Sequence, residues 1–356
     1  MSILANLCFA PTQPTGWLSY SLNLLQELKQ LEIDVLSPKE FSGFKCHNSP
    51  PNITTDFGIK GHLKRLLWTQ FKLPTVYSQM HSKLLFSPIP EAPVFSSCSY
   101  VVTVHDLIPL RFPQSFSIAQ QLYCNYYIRA VIQQSKHVIC NSRATAEDLN
   151  KFLGVNQAKI TPIALGYDRE NFRFLDLPTQ NYFLYLGRHN PHKNPERLIT
   201  AFAELTNCKD YELWLAGPSD RRYTPTLKAQ VAQLGITNRV KFLDYVPYSE
   251  LPKIINQAIA LVFPSLWEGF GLPVLEAMAC GTPVITSNLS SLPEVAGDAA
   301  ILIDPYNTKE ITEAMDAIAT DSTLRSHLSN QGIIHCQQFS WQKTGQATAE
   351  VLSRYV

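Results

Sequence analysis

Short apolar runs of four to six residues alternate along the whole chain with longer stretches whose apolar residues recur every three or four positions. The runs fit strands buried on both faces of a parallel sheet, and the longer stretches fit the helices that cross between them. In the first half, strands are expected at residues 3–9, 33–36, 84–86, 101–104, 137–140 and 160–163. Helices are expected over residues 18–31, with Leu18, Leu22, Leu25 and Leu28 at helical spacing, and over residues 118–134. The rhythm restarts with strands at 182–186, 211–216, 240–243, 258–263, 284–286 and 300–303. Helices in this half open near Pro195, Thr224, Ser249, Pro273 and Thr308, several on a Ser, Thr or Pro start signal. Between the halves, residues 167–181 are polar and follow neither period. The pattern predicts an α/β protein of two doubly wound sheets facing across a cleft, with ligands at the carboxyl ends of the strands.

Composition supports that division. At 356 residues, a prior of about 150 per domain gives two domains, and 45% hydrophobic residues are enough for two cores. A net charge of +1 supplies no field to draw the chain onto nucleic acid. The eight cysteines are dispersed, with none two residues apart, so neither a zinc site nor a redox pair is expected, and reduced thiols fit a cytosolic setting. The first 26 residues carry no charge, but a basic leader is lacking and Pro11 and Pro14 break the apolar run. A buried first strand is expected instead, and no run reaches the ~18 consecutive apolar residues of a membrane span.

Four segments carry candidate chemistry. Residues 258–287 read as strand, then Glu268-Gly269-Phe270-Gly271, then a helix opening at Leu272-Pro273. Two glycines let backbone N–H groups approach a ligand, and a helix N-terminus favours phosphate. Glu268 is placed in the loop and Glu276 in the first helical turn, where it is either a charge answering the helix dipole or an acceptor for sugar hydroxyls. After the strand at 182–186 come Arg188 and Lys193, two cations that suit a diphosphate, as fork and as point charge, or are merely surface charges. His105-Asp106 ends a β-branched strand, where His105 either faces the cleft and exchanges hydrogen bonds or protons, or positions its own loop. Pro14-Thr15-Gly16-Trp17 turns from the first strand into the first helix, so Gly16 either admits a phosphate or sugar or serves chain geometry alone.

Pro264-Ser265, Glu268–Pro273, Glu276–Ala279, Gly281 and Pro283-Val284 together resemble the signature of the retaining glycosyltransferases of family 4, and residues 290–295 continue it. Tyr185-Leu186-Gly187-Arg188 with Lys193 resembles that family's diphosphate segment; the family often carries two adjacent glycines where this chain has Gly16-Trp17. The resemblance implies the GT-B architecture, two Rossmann-like domains: an acceptor-side domain at residues 1–172 and a nucleotide-sugar domain at 173–335. A final helix within 336–356 would cross back to the first. It implies hexose transfer from a nucleotide-diphosphate sugar with retention at the anomeric carbon. Arg188, Lys193 and the helix N-terminus after Gly271 would stabilise the leaving diphosphate, with Gly16, Gly269, Phe270 and Leu272 also at the donor. Glu268 would hold sugar hydroxyls, Glu276 the ribose, and His105 would touch the donor sugar. No Asp-x-Asp motif lies beside these residues, so no metal or other cofactor is expected. The run His105–Pro109 is similar to that of bacterial mannosyl-type polysaccharide enzymes, favouring GDP-mannose over UDP-glucose, with a glycan or lipid-linked acceptor.

Other readings use the same fold: an epimerase, a phosphorylase, or a non-catalytic sugar-nucleotide-binding protein. A nicotinamide enzyme is disfavoured, because Gly269-Phe270-Gly271 lacks the third fingerprint glycine. Residues 59–71 mix Lys60, Lys64 and Arg65 with Leu63, Leu66, Leu67, Trp68 and Phe71. They suit either a packed helix with a solvated basic face or a helix lying on an anionic membrane. The expected location is the cytoplasm, with peripheral contact at the inner face of the membrane.

Overall fold

The computed structural model describes residues 2–12, 16–205 and 210–356. The chain divides into two compact units, Met1–Gly166 with Ser340–Val356, and Tyr167–Phe339. The units meet in sequence at Gly166/Tyr167 and Phe339/Ser340, whereas the expected boundaries follow residues 172 and 335.

The first unit holds a seven-stranded sheet in the order β3-β2-β1-β4-β5-β6-β7. Its strands are β1 (Ile3–Asn6), β2 (Ile33–Ser37), β3 (Lys45–Asn48), β4 (Leu84–Ser87), β5 (Tyr100–Val104), β6 (His137–Cys140) and β7 (Ile160–Pro162). Every pairing is parallel, with Ile3 opposite both Ile33 and Leu84. β1, β4, β5 and β6 are buried along their whole length, so their sequences read as unbroken apolar runs. β3, Lys-Cys-His-Asn, escapes that reading: it is an edge strand, exposed or half-exposed throughout.

The second unit holds a six-stranded parallel sheet in the order β10-β9-β8-β11-β12-β13. Its strands are β8 (Tyr182–Leu186), β9 (Glu212–Ala216), β10 (Val240–Leu243), β11 (Ala260–Phe263), β12 (Val284–Ser287) and β13 (Ile301–Ile303). Phe183, Leu213, Leu215, Val262 and Ile285 meet helix residues Leu198, Phe202, Ile311 and Met315 in one apolar core.

One stretch departs from the expected elements. Residues 118–134 do not form one regular helix; between Ile118–Leu122 and Arg129–Gln134 lies a wider π-type stretch, Tyr123–Ile128. It holds Tyr123 and Tyr127 stacked 5.2 Å apart, with their hydroxyls donating to Glu91 Oε1 and the Ala92 carbonyl. The last helix, Trp341–Ser353, packs within the first unit against helix Gly16–Glu27. A Cβ on Gly345 would stand 2.2 Å from Glu27 Cβ, so glycine is what lets these helices approach.

Candidate active site

The second unit gathers the charged candidates at the carboxyl ends of its two central strands. β8 runs into Gly187, whose N–H extends the ladder to the Ala216 carbonyl at 2.9 Å. Gly217 follows β9 so closely that a Cβ there would lie 2.1 Å from Gly187 O, which makes glycine obligatory. Tyr185 is fully buried beneath this edge and donates its hydroxyl to the Arg188 carbonyl at 2.9 Å. Burial, with the charge of Glu268 adding, raises that phenol well above its ordinary range, so it remains a donor. Arg188 is thereby turned out to solvent, and its guanidinium pairs with no carboxylate among the described residues.

Lys193 ends a short 3₁₀ turn, Pro191–Lys193. Its ammonium donates to both oxygens of Glu268, at 2.5 and 2.6 Å, and stands 5.4 Å from the Phe263 ring centroid. The spacing in sequence is 75 residues, yet the two loops are neighbours because β8 and β11 pair directly. Asn194, in the left-handed region at φ 61°, fixes their relation. Its amide donates to the carbonyls of Pro264 (3.1 Å) and Pro305 (2.7 Å), tying the ends of β8, β11 and β13 together.

The Glu268 loop is held from its own side as well. The Glu268 N–H donates to Ser290 Oγ at 3.1 Å, and the Ser291 hydroxyl reaches the carbonyls of Glu268 (3.0 Å) and Phe270 (2.7 Å). Gly269 and Phe270 are buried, with Phe270 against Phe339 at 6.1 Å. Gly271 takes φ +113° with Leu292 Cδ2 2.7 Å from where a Cβ would stand, and the helix Leu272–Ala279 starts there, Leu272 half-buried at its first position.

Glu276 is not in the first turn of that helix. It is the fifth residue, and no acidic residue occupies the first turn, so answering the helix dipole is not its role. Withdrawal from water, with Asp168 adding like charge, pushes its carboxyl from an ordinary 4.5 up to about 7. Tyr248 belongs to the same cluster: its hydroxyl donates to Asp168 Oδ2 at 3.2 Å, and the Glu276 charge helps raise its phenol. Two carboxylates brought together without a cation suit a ligand that supplies hydroxyl donors. On the next loop, Ser219 donates to Asp244 Oδ1 at 2.6 Å.

His105 and Gly16 belong to the first unit. His105 follows β5 and its Nε2 lies 2.9 Å from the Pro88 carbonyl, an acceptor only, so Nε2 carries the proton and Nδ1 is the open acceptor. Burial lowers its pKa to about 4, so the imidazole is neutral near pH 7. Asp106 accepts the Ile108 N–H at 3.0 Å and so anchors the loop. Gly16 opens helix Gly16–Glu27 with nothing near a would-be Cβ, while Pro14 and Thr15 lie outside the described residues. Sequence reasoning missed Asn194, Tyr185 and the Asp168–Tyr248 pair. An Asn directly before Pro195, at the start of a helix, was the one available signal.

This set of strand-end cations and carboxylates on the second unit's parallel sheet belongs to a sugar-transferring class of enzyme. Residues 168–335 match the pattern of "Glycosyl transferases group 1", and residues 14–171 that of "Glycosyltransferase Family 4". Together these span nearly the whole chain, which belongs to the family-4 glycosyltransferases and has the GT-B fold. Among curated relatives, the O-antigen chain mannosyltransferase RfbU of Salmonella typhimurium is 27% identical over 89% of this chain and 90% of its own length. O-antigen chain mannosyltransferase B of Escherichia coli is 36% identical over 50% of this chain and 46% of its own. Sucrose-phosphate synthase from Thermosynechococcus elongatus shares the fold at TM-score 0.79 and 19% identity, covering 99% of this chain and 98% of that one.

Proposed function

We propose that this glycosyltransferase moves a hexose, mannose from GDP-mannose, onto a glycan or lipid-linked acceptor with retention of anomeric configuration. The observation that carries the reading is the Lys193–Glu268 pair beside the unpartnered Arg188, at the ends of the adjacent strands β8 and β11. A nucleotide diphosphate supplies the anion Arg188 lacks and takes Lys193 away from Glu268. Glu268 then accepts hydroxyls of the sugar. As the bond from the anomeric carbon to the diphosphate oxygen lengthens, negative charge grows on the leaving group. Arg188, Lys193 and the N-terminus of helix Leu272–Ala279 stabilise it there, and the positive charge on the sugar is met by Glu268. The acceptor hydroxyl attacks on the face the diphosphate leaves and passes its proton to that departing oxygen. Two cations do the work often given to a divalent metal, so none is required. In the first unit, the open Nδ1 of His105 accepts a sugar hydroxyl.

Mannose rests on the two mannosyltransferase relatives. Guanine rests on Asp244. Tyr248 stands near the charge of Glu276, so with the ribose there we assign the base to the loop after β10, which also bears Asp244. There a carboxylate matches guanine N1–H and N2–H together, whereas uracil offers one donor flanked by carbonyls. Asp244→Asn weakens GDP about tenfold, close to 1.4 kcal/mol, and gains xanthosine diphosphate. Equal GDP affinity in variant and parent refutes the guanine assignment. For the site, Glu268→Ala cuts turnover at least a hundredfold with nucleotide affinity within threefold, while Arg188→Ala weakens diphosphate binding itself by about tenfold or more. Small, equal effects from both refute the assignment.

A further inference from the structure

The helix Gly58–Phe71 packs with its arginine inward and carries its two lysines outside, beside an apolar stripe. Its arginine is inside: Arg65 is buried and donates to both oxygens of Glu91, at 2.7 and 2.9 Å, and to the Ile53 carbonyl at 3.0 Å. Gln70 reaches the Ala92 carbonyl (3.1 Å) and accepts the Val94 N–H (2.9 Å). Outside, Ile59, Leu63, Leu67 and Phe71 recur every four residues and are each 55–88% exposed, flanked by Lys60 and Lys64. The adjoining helical segment, joined through the His62–Tyr123 ring contact at 4.8 Å and the Gln70–Tyr127 hydrogen bond, repeats the arrangement. Ile118, Leu122 and Tyr126, again four apart, are 50–76% exposed because the π-type stretch keeps Tyr123 and Tyr127 inside. The inward side chains are committed to the fold, so neither helix can rotate to bury its stripe.

We infer that these two outward faces dock on an anionic lipid bilayer. The inference deepens the proposed lipid-linked acceptor and rests on it. Charge selects the occupant: the two stretches 58–71 and 118–134 contain no Asp or Glu, and Lys60 and Lys64 stand exposed along the first, with Lys72 exposed at its end. Lysines beside exposed aliphatic stripes are a composition that interfacial helices favour and protein–protein contacts deplete. A second copy of the chain would oppose like charge to like charge across a two-fold contact. Each lysine near an anionic surface adds attraction that salt screens, while the aliphatic side chains enter the headgroup boundary.

The test is sedimentation of the full chain with vesicles of phosphatidylethanolamine and phosphatidylglycerol, against vesicles of phosphatidylcholine. The wild type is expected to partition at least tenfold more strongly onto the anionic vesicles, and less as NaCl rises. Leu63→Glu with Leu67→Glu, or Ile118→Glu with Leu122→Glu on the other helix, lowers partition at least tenfold at unchanged melting temperature. Lys60→Glu with Lys64→Glu removes the preference for anionic lipid. Absence of wild-type binding to anionic vesicles overturns the inference, as does a preference that survives the lysine variant. So does a concentration-dependent dimer that the leucine variant abolishes while vesicle binding is absent. Calorimetric GDP binding by the same preparations reports on the transferase reading separately, so either can fail while the other stands.

Discussion

The ion pair of Lys193 and Glu268 joins two side chains only 20% and 9% exposed, so losing either leaves the other charge poorly solvated. Lys193→Ala is therefore expected to destabilise the protein by about 2 kcal/mol, and adding Glu268→Gln to recover part of that without recovering turnover. Thermal melts and initial rates on the two variants check both halves; a full return of activity in the double variant contradicts the assigned roles. Glu276 gives a pH signature. Its carboxyl is raised to about 7 and must be ionised to accept ribose hydroxyls, so donor affinity falls as pH drops through 7. Glu276→Gln flattens that profile, and a wild-type profile flat from pH 6 to 8 contradicts the assignment. Because the folded state holds this proton longer than the unfolded chain, the same group lowers stability as pH rises from about 4.5 to 7.

At the scale of elements, strands buried on both faces were legible because each is a bare apolar run, and β6 and β8 begin and end where the pattern places them. β3 was illegible for the converse reason: an edge strand needs no apolar face. The π-type stretch left no mark because apolar spacing cannot register a locally widened turn, and Glu276 was misplaced by a turn for want of a sharp start signal. The cations and carboxylates of the site stood out as a motif. The groups that hold them did not, since Asn194 and Tyr185 act through carbonyls that pattern does not reveal. Asn194→Ala leaves the Pro264 and Pro305 carbonyls without that donor and frees three loops. It should cost about 2 kcal/mol and reduce kcat more than it raises the Kd for GDP. An unchanged kcat with lost stability would leave Asn194 a structural residue only.

Over the whole molecule, each unit is one parallel sheet with its own apolar core, and the last helix belongs to the first unit although it follows the second in sequence. No helix among the described residues is long and apolar enough to cross a membrane. If the two cations and a helix N-terminus suffice for the diphosphate, turnover after exhaustive chelation should match untreated enzyme within twofold. Loss of turnover restored by Mg²⁺ or Mn²⁺ would contradict that. The most direct measurement is calorimetric titration of the wild type and Arg188→Ala with GDP, UDP and ADP. The account predicts micromolar, selective binding of GDP to the wild type and at least tenfold weaker binding to the variant. No nucleotide binding, or equal binding by both proteins, would contradict it.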